Sequence, residues 1–189
     1  MPVETSYRQS LTGHEMERAA WPWLADLRLR AHQRFETLGF PSRGSEAWKY
    51  IPLEPLLGAS FVGAEPAQVF DAGLLAPLVP ADENRLVFVN GAYSDSLSNT
   101  AFLPHGVFLG RLEENIKSTP GLVEPYLGSR LEAETNAFSL INTFSFRDGA
   151  FIVIPEGVEL DRPLHVIFAS VSAAGRPPVI YPRVLLLLG

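Results

Sequence analysis

The run Arg147-Asp148-Gly149-Ala150-Phe151-Ile152-Val153-Ile154-Pro155-Glu156-Gly157-Val158, followed by Asp161-Arg162-Pro163-Leu164-His165, leaves no room for a helix. It reads as a turn, a short strand, a second turn and another strand. Asp148-Gly149 and Glu156-Gly157 tolerate positive φ, while Pro155 and Pro163 fix φ beside them. The β-branched and aromatic residues between these corners suit a pleated surface. Short strands cut regularly by Gly and Pro fit a sandwich, a barrel or a coiled β-solenoid.

Upstream, one helix stands out. Pro22 suits a first helical position, and Leu24, Leu27, Ala31, Phe35 and Leu38 follow the spacing of a single buried face. Arg28, Arg34 and Glu36 are expected on its wet side, Gly39 at its left-handed C-terminal cap, and Pro41 just beyond. A shorter helix is expected around His14 to Ala20. Residues 40–80 are dense in Pro and Gly, which predicts turns with one helical turn near Leu53 to Leu57. Arg85 to Val89 reads as a strand ending at the hairpin pair Asn90-Gly91, and Gly106 to Leu109 as another. From Arg111 to about Asn142 the pattern is helical, broken at Pro120 and near Gly128, with Glu113-Glu114 at a helix start. Beyond Thr143 the chain is β. Gly175-Arg176-Pro177-Pro178 makes a loop, and Val184-Leu185-Leu186-Leu187-Leu188 reads as a strand buried on both faces. That apolar strand stops at Gly189 without a polar close, so the chain is expected to be truncated, with an open edge prone to self-association.

The chemistry is sparse. The chain has no cysteine, which removes disulfides and thiolate metal sites. His14, His32, His105 and His165 show no metal-ligand spacing, so a metal site is not expected. His165 alternates with Leu164 and Val166 and must face away from them. Asp148 and Asp161 would suffice in number for an acid–base pair, but turn chemistry explains both. No phosphate-binding glycine loop, nucleophile elbow or dinucleotide fingerprint is present, so no enzymatic activity is expected. A net charge of −6 with scattered Lys and Arg argues against a nucleic-acid or anionic-membrane surface. No stretch nears the roughly 20 apolar residues of a membrane span, and the start lacks the pattern of a secretory signal, so a cytoplasmic protein is expected. Glu46-Ala47-Trp48-Lys49-Tyr50 allows a cation–π contact, although Trp48 and Tyr50 read first as anchors of a loop on the long helix.

That cluster also carries a resemblance. Gly39-Phe40-Pro41-Ser42-Arg43, then Glu46-Ala47-Trp48-Lys49-Tyr50-Ile51-Pro52-Leu53, resembles the N-terminal signature of the SufB/SufD iron–sulfur cluster assembly family, in its SufD form. Phe88-Val89-Asn90-Gly91 and Leu103-Pro104-His105-Gly106-Val107 resemble its next landmarks. Phe138 to Thr143, Arg147-Asp148-Gly149, Pro155-Glu156-Gly157, Pro163-Leu164-His165 and Pro182-Arg183 continue in the same order. Absence of cysteine fits SufD better than SufB, whose cluster chemistry relies on cysteine.

The resemblance implies an α+β fold: a mixed, mainly helical N-terminal domain over 1–130, then, over 131–189, the opening strands of a right-handed parallel β-helix. It implies a non-catalytic scaffold subunit acting with SufB-like and SufC-like proteins, the latter an ATPase. The iron–sulfur cluster would be handled by that complex, and no cofactor is expected on this chain alone. No catalytic or ligand residue is carried over, because those of the family lie beyond the matched region; the motif residues above are expected to be structural. Two other readings fit the residues: a carbohydrate-active enzyme on a β-helix or cupin-like barrel, and an interaction module that pairs through an open β edge.

Overall fold

The computed structural model describes residues 21–42, 44–57, 59, 61–64, 70–172 and 178–189. The expected helix around His14 to Ala20 and residues 175–177 of the expected loop lie outside them, while Pro178, the last residue of that loop, begins a short strand. Helix α1 is Pro22–Leu38. Its Leu24, Leu27, Ala31 and Phe35 are buried, and Gly39, at φ 68°, donates its N–H to the Phe35 carbonyl. Two assignments on this helix differ from expectation. Arg28 is 2% exposed, because it lies four residues after Leu24 and three before Ala31, inside the buried arc. Leu38 is 46% exposed, since the core against this face ends at Phe35.

A single helical turn, α2, follows at Glu54–Leu57. Helices α3 (Leu112–Ser118) and α4 (Pro120–Val123) divide at Pro120, where the sequence places the break. Helix α5, Ala137–Ser145, begins at Asn136, whose side chain accepts a hydrogen bond from the Phe138 N–H. α5 lies against α1 through aromatic edges. The Phe144 ring is 5.9 Å from that of Phe35 and 5.2 Å, edge-on, from His32. With Leu140, Ile141, Leu112, Ile116, Val123 and Leu127 they form one apolar cluster that also takes in Phe151.

The strands are β1 (Val62–Gly63), β2 (Asn84–Val89), β3 (Ala92–Tyr93), β4 (Phe108–Arg111), β5 (Ala150–Ile154), β6 (Leu164–Ala169), β7 (Pro178–Val179) and β8 (Val184–Leu188). They make three small sheets, ordered β3-β2-β6, β4-β5-β8 and β1-β7. Asn90 and Gly91, at φ 51° and 80°, close the expected β2–β3 hairpin. The expected strand at Gly106 to Leu109 is displaced to β4, with Gly106 left as a turn residue at φ 86°. The described part of the first 130 residues mixes helices with short strands, and more of its residues lie in helices than in strands.

Pairing beyond the hairpin is mostly parallel. β2 runs parallel to β6 from Asn84↔Leu164 to Val89↔Ala169. β5 runs parallel to β8 from Ala150↔Val184 to Ile154↔Leu188, and antiparallel to β4. Successive strands β5, β6, β7 and β8 thus visit three sheets in turn, and the fourth returns beside the first.

This layering explains the near-continuous apolar run of β5. Ala150 and Ile152 face Leu86, Phe88, Val166 and Phe168 of the neighbouring sheet, whereas Phe151 and Val153 face the helices. β8 does not repeat that burial. Leu185 and Leu187 pack on the helical cluster, but Val184, Leu186 and Leu188 are 48%, 47% and 69% exposed. They share the face of Ala150 and Ile152, and β8 lies at the sheet edge, where β3-β2-β6 does not extend opposite them.

Phe144 is fully buried at the meeting of α1 and α5. Phe144→Ala is expected to destabilise the chain by about 3–5 kcal/mol, read from the urea midpoint at unchanged slope. A loss under about 1 kcal/mol would mean that the helices do not pack through this ring.

Candidate functional site

The motif residues divide into a surface group and a convergent one. In the surface group, Glu46 to Trp48 form one 3₁₀ turn. The Trp48 ring lies 5.2 Å from Phe138 of α5, so it anchors the loop. Tyr50 does not: it is 86% exposed, with Lys49 Nζ 5.4 Å from its ring centroid. Pro155 and Gly157 (φ 74°) shape the turn after β5, where the Val158 N–H reaches the Pro155 carbonyl. Pro163 precedes β6, on which His165 Nε2 stands 2.5 Å from Glu83 Oε2, while Arg162 pairs with Asp82 at 2.8 Å. Arg162 holds the exposed Asp82 carboxyl below the usual carboxylate range through its hydrogen bond.

The convergent group is Asn90, Gly91, Arg147, Asp148, Gly149, Pro182 and Arg183, drawn from three separate parts of the chain. Asn90 clasps the backbone of Val171: its Nδ2 donates to the carbonyl, and its Oδ1 accepts from the N–H at 2.8 Å. This ties the hairpin turn to the end of β6.

Asp148 is the hub. Oδ1 accepts from the Glu113 N–H at 2.9 Å and the Gly149 N–H at 2.8 Å, and Oδ2 accepts from Arg111 Nε at 2.8 Å. Its side chain therefore caps α3 from 35 residues away, supplying the anion that a helix N-terminus favours. Turn chemistry was the expected reason for Asp148-Gly149, but Gly149 does not have positive φ. It is a site of close approach instead: a Cβ there would stand 2.1 Å from the Arg183 carbonyl oxygen. That carbonyl accepts from the Ala150 N–H at 2.9 Å, the first rung of the β5–β8 pairing. Burial opposes the charge on Arg111, but Asp148, Glu113 and Glu114 outweigh it and raise its pKa.

Two arginines flank the Phe146 ring. Arg28 donates Nη2 to the Phe146 carbonyl at 2.6 Å and sits 5.1 Å from the ring centroid. Arg183 lies 5.7 Å from the same centroid and donates to Asn142 Oδ1 and Thr143 Oγ1. Burial, helped by the charge of Arg147, lowers the Arg28 pKa to about 10. Burial also lowers that of Arg183, against the pull of Glu134. Arg147 itself is exposed. Beside it opens a cavity of about 180 Å³, lined among others by Asn90, Phe168, Val179, Ile180 and Tyr181. Burial pushes the Tyr181 phenol up, a bond to Ser145 partly offsetting it.

Of the residues in this cluster, Arg28, Arg111, Phe146 and Tyr181 were not marked by sequence motifs. Only Arg28 carried a signal, its position within the apolar arc. Among the described residues no group of three His, Cys, Asp or Glu is placed to hold a metal ion. His105 is exposed, and His32 stacks edge-on against Phe144, far in role from His165 with its Glu83 partner. The cluster holds helices and sheets together and leaves one cation and one cavity for other uses.

The fold is thus an α/β chain of three small sheets, in which one group of motif residues converges at the start of β5 and the rest lie on the surface. The profile of the SufBD protein N-terminal region matches residues 4–166, and the chain belongs to that family. An iron–sulfur cluster assembly SufBD family protein of Synechocystis is 29% identical over 166 residues, covering 87% of this chain and 36% of that protein. One from Arabidopsis thaliana is 27% identical, covering 77% and 35%. The iron–sulfur cluster assembly protein SufD of Escherichia coli is 37% identical over 79 residues, covering 37% of this chain and 17% of its own. The chain spans about a third of the length of the first two relatives.

Asp148→Ala removes three bonds at once. It is expected to cost about 2–4 kcal/mol in urea unfolding, and Asp148→Asn, which keeps one acceptor, about half as much. An Asp148→Ala protein of unchanged stability would show that the hub is ornamental.

Proposed function

We propose that this chain is part of a non-catalytic scaffold subunit of the SUF iron–sulfur cluster assembly machinery, acting with a SufB-like protein and a SufC-like ATPase. The observation that carries the reading is the family match over most of the chain, with motif landmarks spread in order along it. The SufD form is favoured by the Glu46-to-Leu53 signature and the similarity to the Escherichia coli SufD protein.

The strand arrangement supports a β-helical continuation. β8 returns beside β5 in parallel register, and the exposed Val184, Leu186 and Leu188 carry the inward face of β5 forward. On this reading residues 131–189 begin a right-handed parallel β-helix, and residues 1–130 form the domain that precedes it. The cluster is cargo of the complex, so the chain alone holds no iron and no resident cofactor. The compartment is cytoplasmic; among the described residues no helix is long and apolar enough to cross a membrane.

Co-expression with the SufB-like and SufC-like proteins of the same genome tests the proposal, with the tag on this protein. Both partners are expected to co-purify, with ATP hydrolysis confined to preparations that contain the SufC-like protein. Recovery of the tagged protein alone, or ATP hydrolysis by it alone, would overturn the scaffold reading.

A further inference from the structure

We propose that the cavity between the Asn90–Gly91 turn and Tyr181 binds a small organic carboxylate, about the size of benzoate, with Arg147 as its charge partner. The inference stands apart from the assembly role, since it rests on the cavity and its charge alone.

Size comes first. At about 180 Å³ the cavity compares with the roughly 150 Å³ voids that admit a benzene ring. Most of its wall is apolar, from Phe168, Val179, Ile180 and Pro182, and strand residues of the sheets β3-β2-β6 and β1-β7 contribute to it. A ring or short branched chain would fill such a space, as such pockets generally require.

Charge supplies the second argument. The chain has a net charge of −6, yet Arg28 and Arg183 flank Phe146 and the charge of Arg147 reaches Arg28. The carboxylate beside them, Asp148, is committed to Arg111 and to two backbone N–H groups. Arg147 makes no hydrogen bond or ion pair with any described residue, unlike Arg30, Arg111 and Arg162. Its charge instead bears on Arg28, which burial already disfavours as a cation. An anion at Arg147 would take up that surplus positive potential.

The two features together select the ligand class. A guanidinium matches a carboxylate through paired N–H donors. A phosphate dianion has no apolar part to set against Phe168, Val179 and Ile180. A neutral ring would leave the guanidinium without a partner. The Tyr181 hydroxyl, held by Ser145, stands as a second polar group on the wall.

Titration of the purified chain with benzoate, benzamide and inorganic phosphate tests this, read by calorimetry and by the rise in Tm. Arg147 is exposed and unpaired, so Arg147→Gln is expected to fold with an unchanged Tm in the absence of ligand. Benzoate is expected to bind with one-to-one saturation, and benzamide about tenfold more weakly, as the loss of a charge-assisted bond implies. Arg147→Gln is expected to weaken benzoate about tenfold and leave benzamide unchanged. Absence of saturable benzoate binding, equal binding of benzoate to Arg147→Gln, or phosphate binding more tightly than benzoate would each overturn the proposal.

Discussion

Among the described glycines, Gly149 leaves the least room for a Cβ, which would stand 2.1 Å from the Arg183 carbonyl oxygen. Because residue 149 has no Cβ, the Arg183 carbonyl can enter and accept the Ala150 N–H, and from that bond β5 and β8 run on in parallel register. The residue before it, Asp148, fixes the same point from the other side by capping α3 and holding Arg111. Helices, sheet and returning strand are thus joined within three consecutive residues. Any side chain at position 149 would force apart the strands that define the layered arrangement, because the obstructing atom is backbone and has no rotamer to adopt.

From this junction the layers follow. β5 has an apolar partner on each face, helical on one side and β3-β2-β6 on the other, so its sequence has no polar alternation. β8 shares only the helical side, which is why an equally apolar sequence leaves every second residue exposed. The two strands look alike in sequence and differ in burial because burial depends on what stands opposite.

Much of the local structure was legible. The Pro22–Leu38 helix, its glycine cap, the Asn90–Gly91 hairpin and the break at Pro120 each depend on residues within a few positions. The convergent site was legible only as a set of motifs, without its geometry. Asp-Gly commonly marks a turn, but the partners of Asp148 lie 35 and 37 residues away, beyond any local pattern. The charge of Arg28 points to solvent, but its spacing puts it in the buried arc, where a carbonyl and an aromatic ring receive it. Trp48 and Tyr50 are alike in size and polar handle, yet only Trp48 finds a ring, Phe138 of α5 rather than one on the long helix, while Tyr50 stays exposed. Family membership adds what physics at this scale does not, the context in which such a junction is used.

Amide hydrogen exchange on the wild-type chain and on Gly149→Ala tests the central claim most directly. In the wild type, Ala150 to Ile154 and Val184 to Leu188 are expected to share slow exchange. In Gly149→Ala both strands are expected to lose protection together, while α1 keeps its own. Undiminished protection of β5 and β8 in the variant would show that the chain tolerates a Cβ at this contact and that the junction does not set their register.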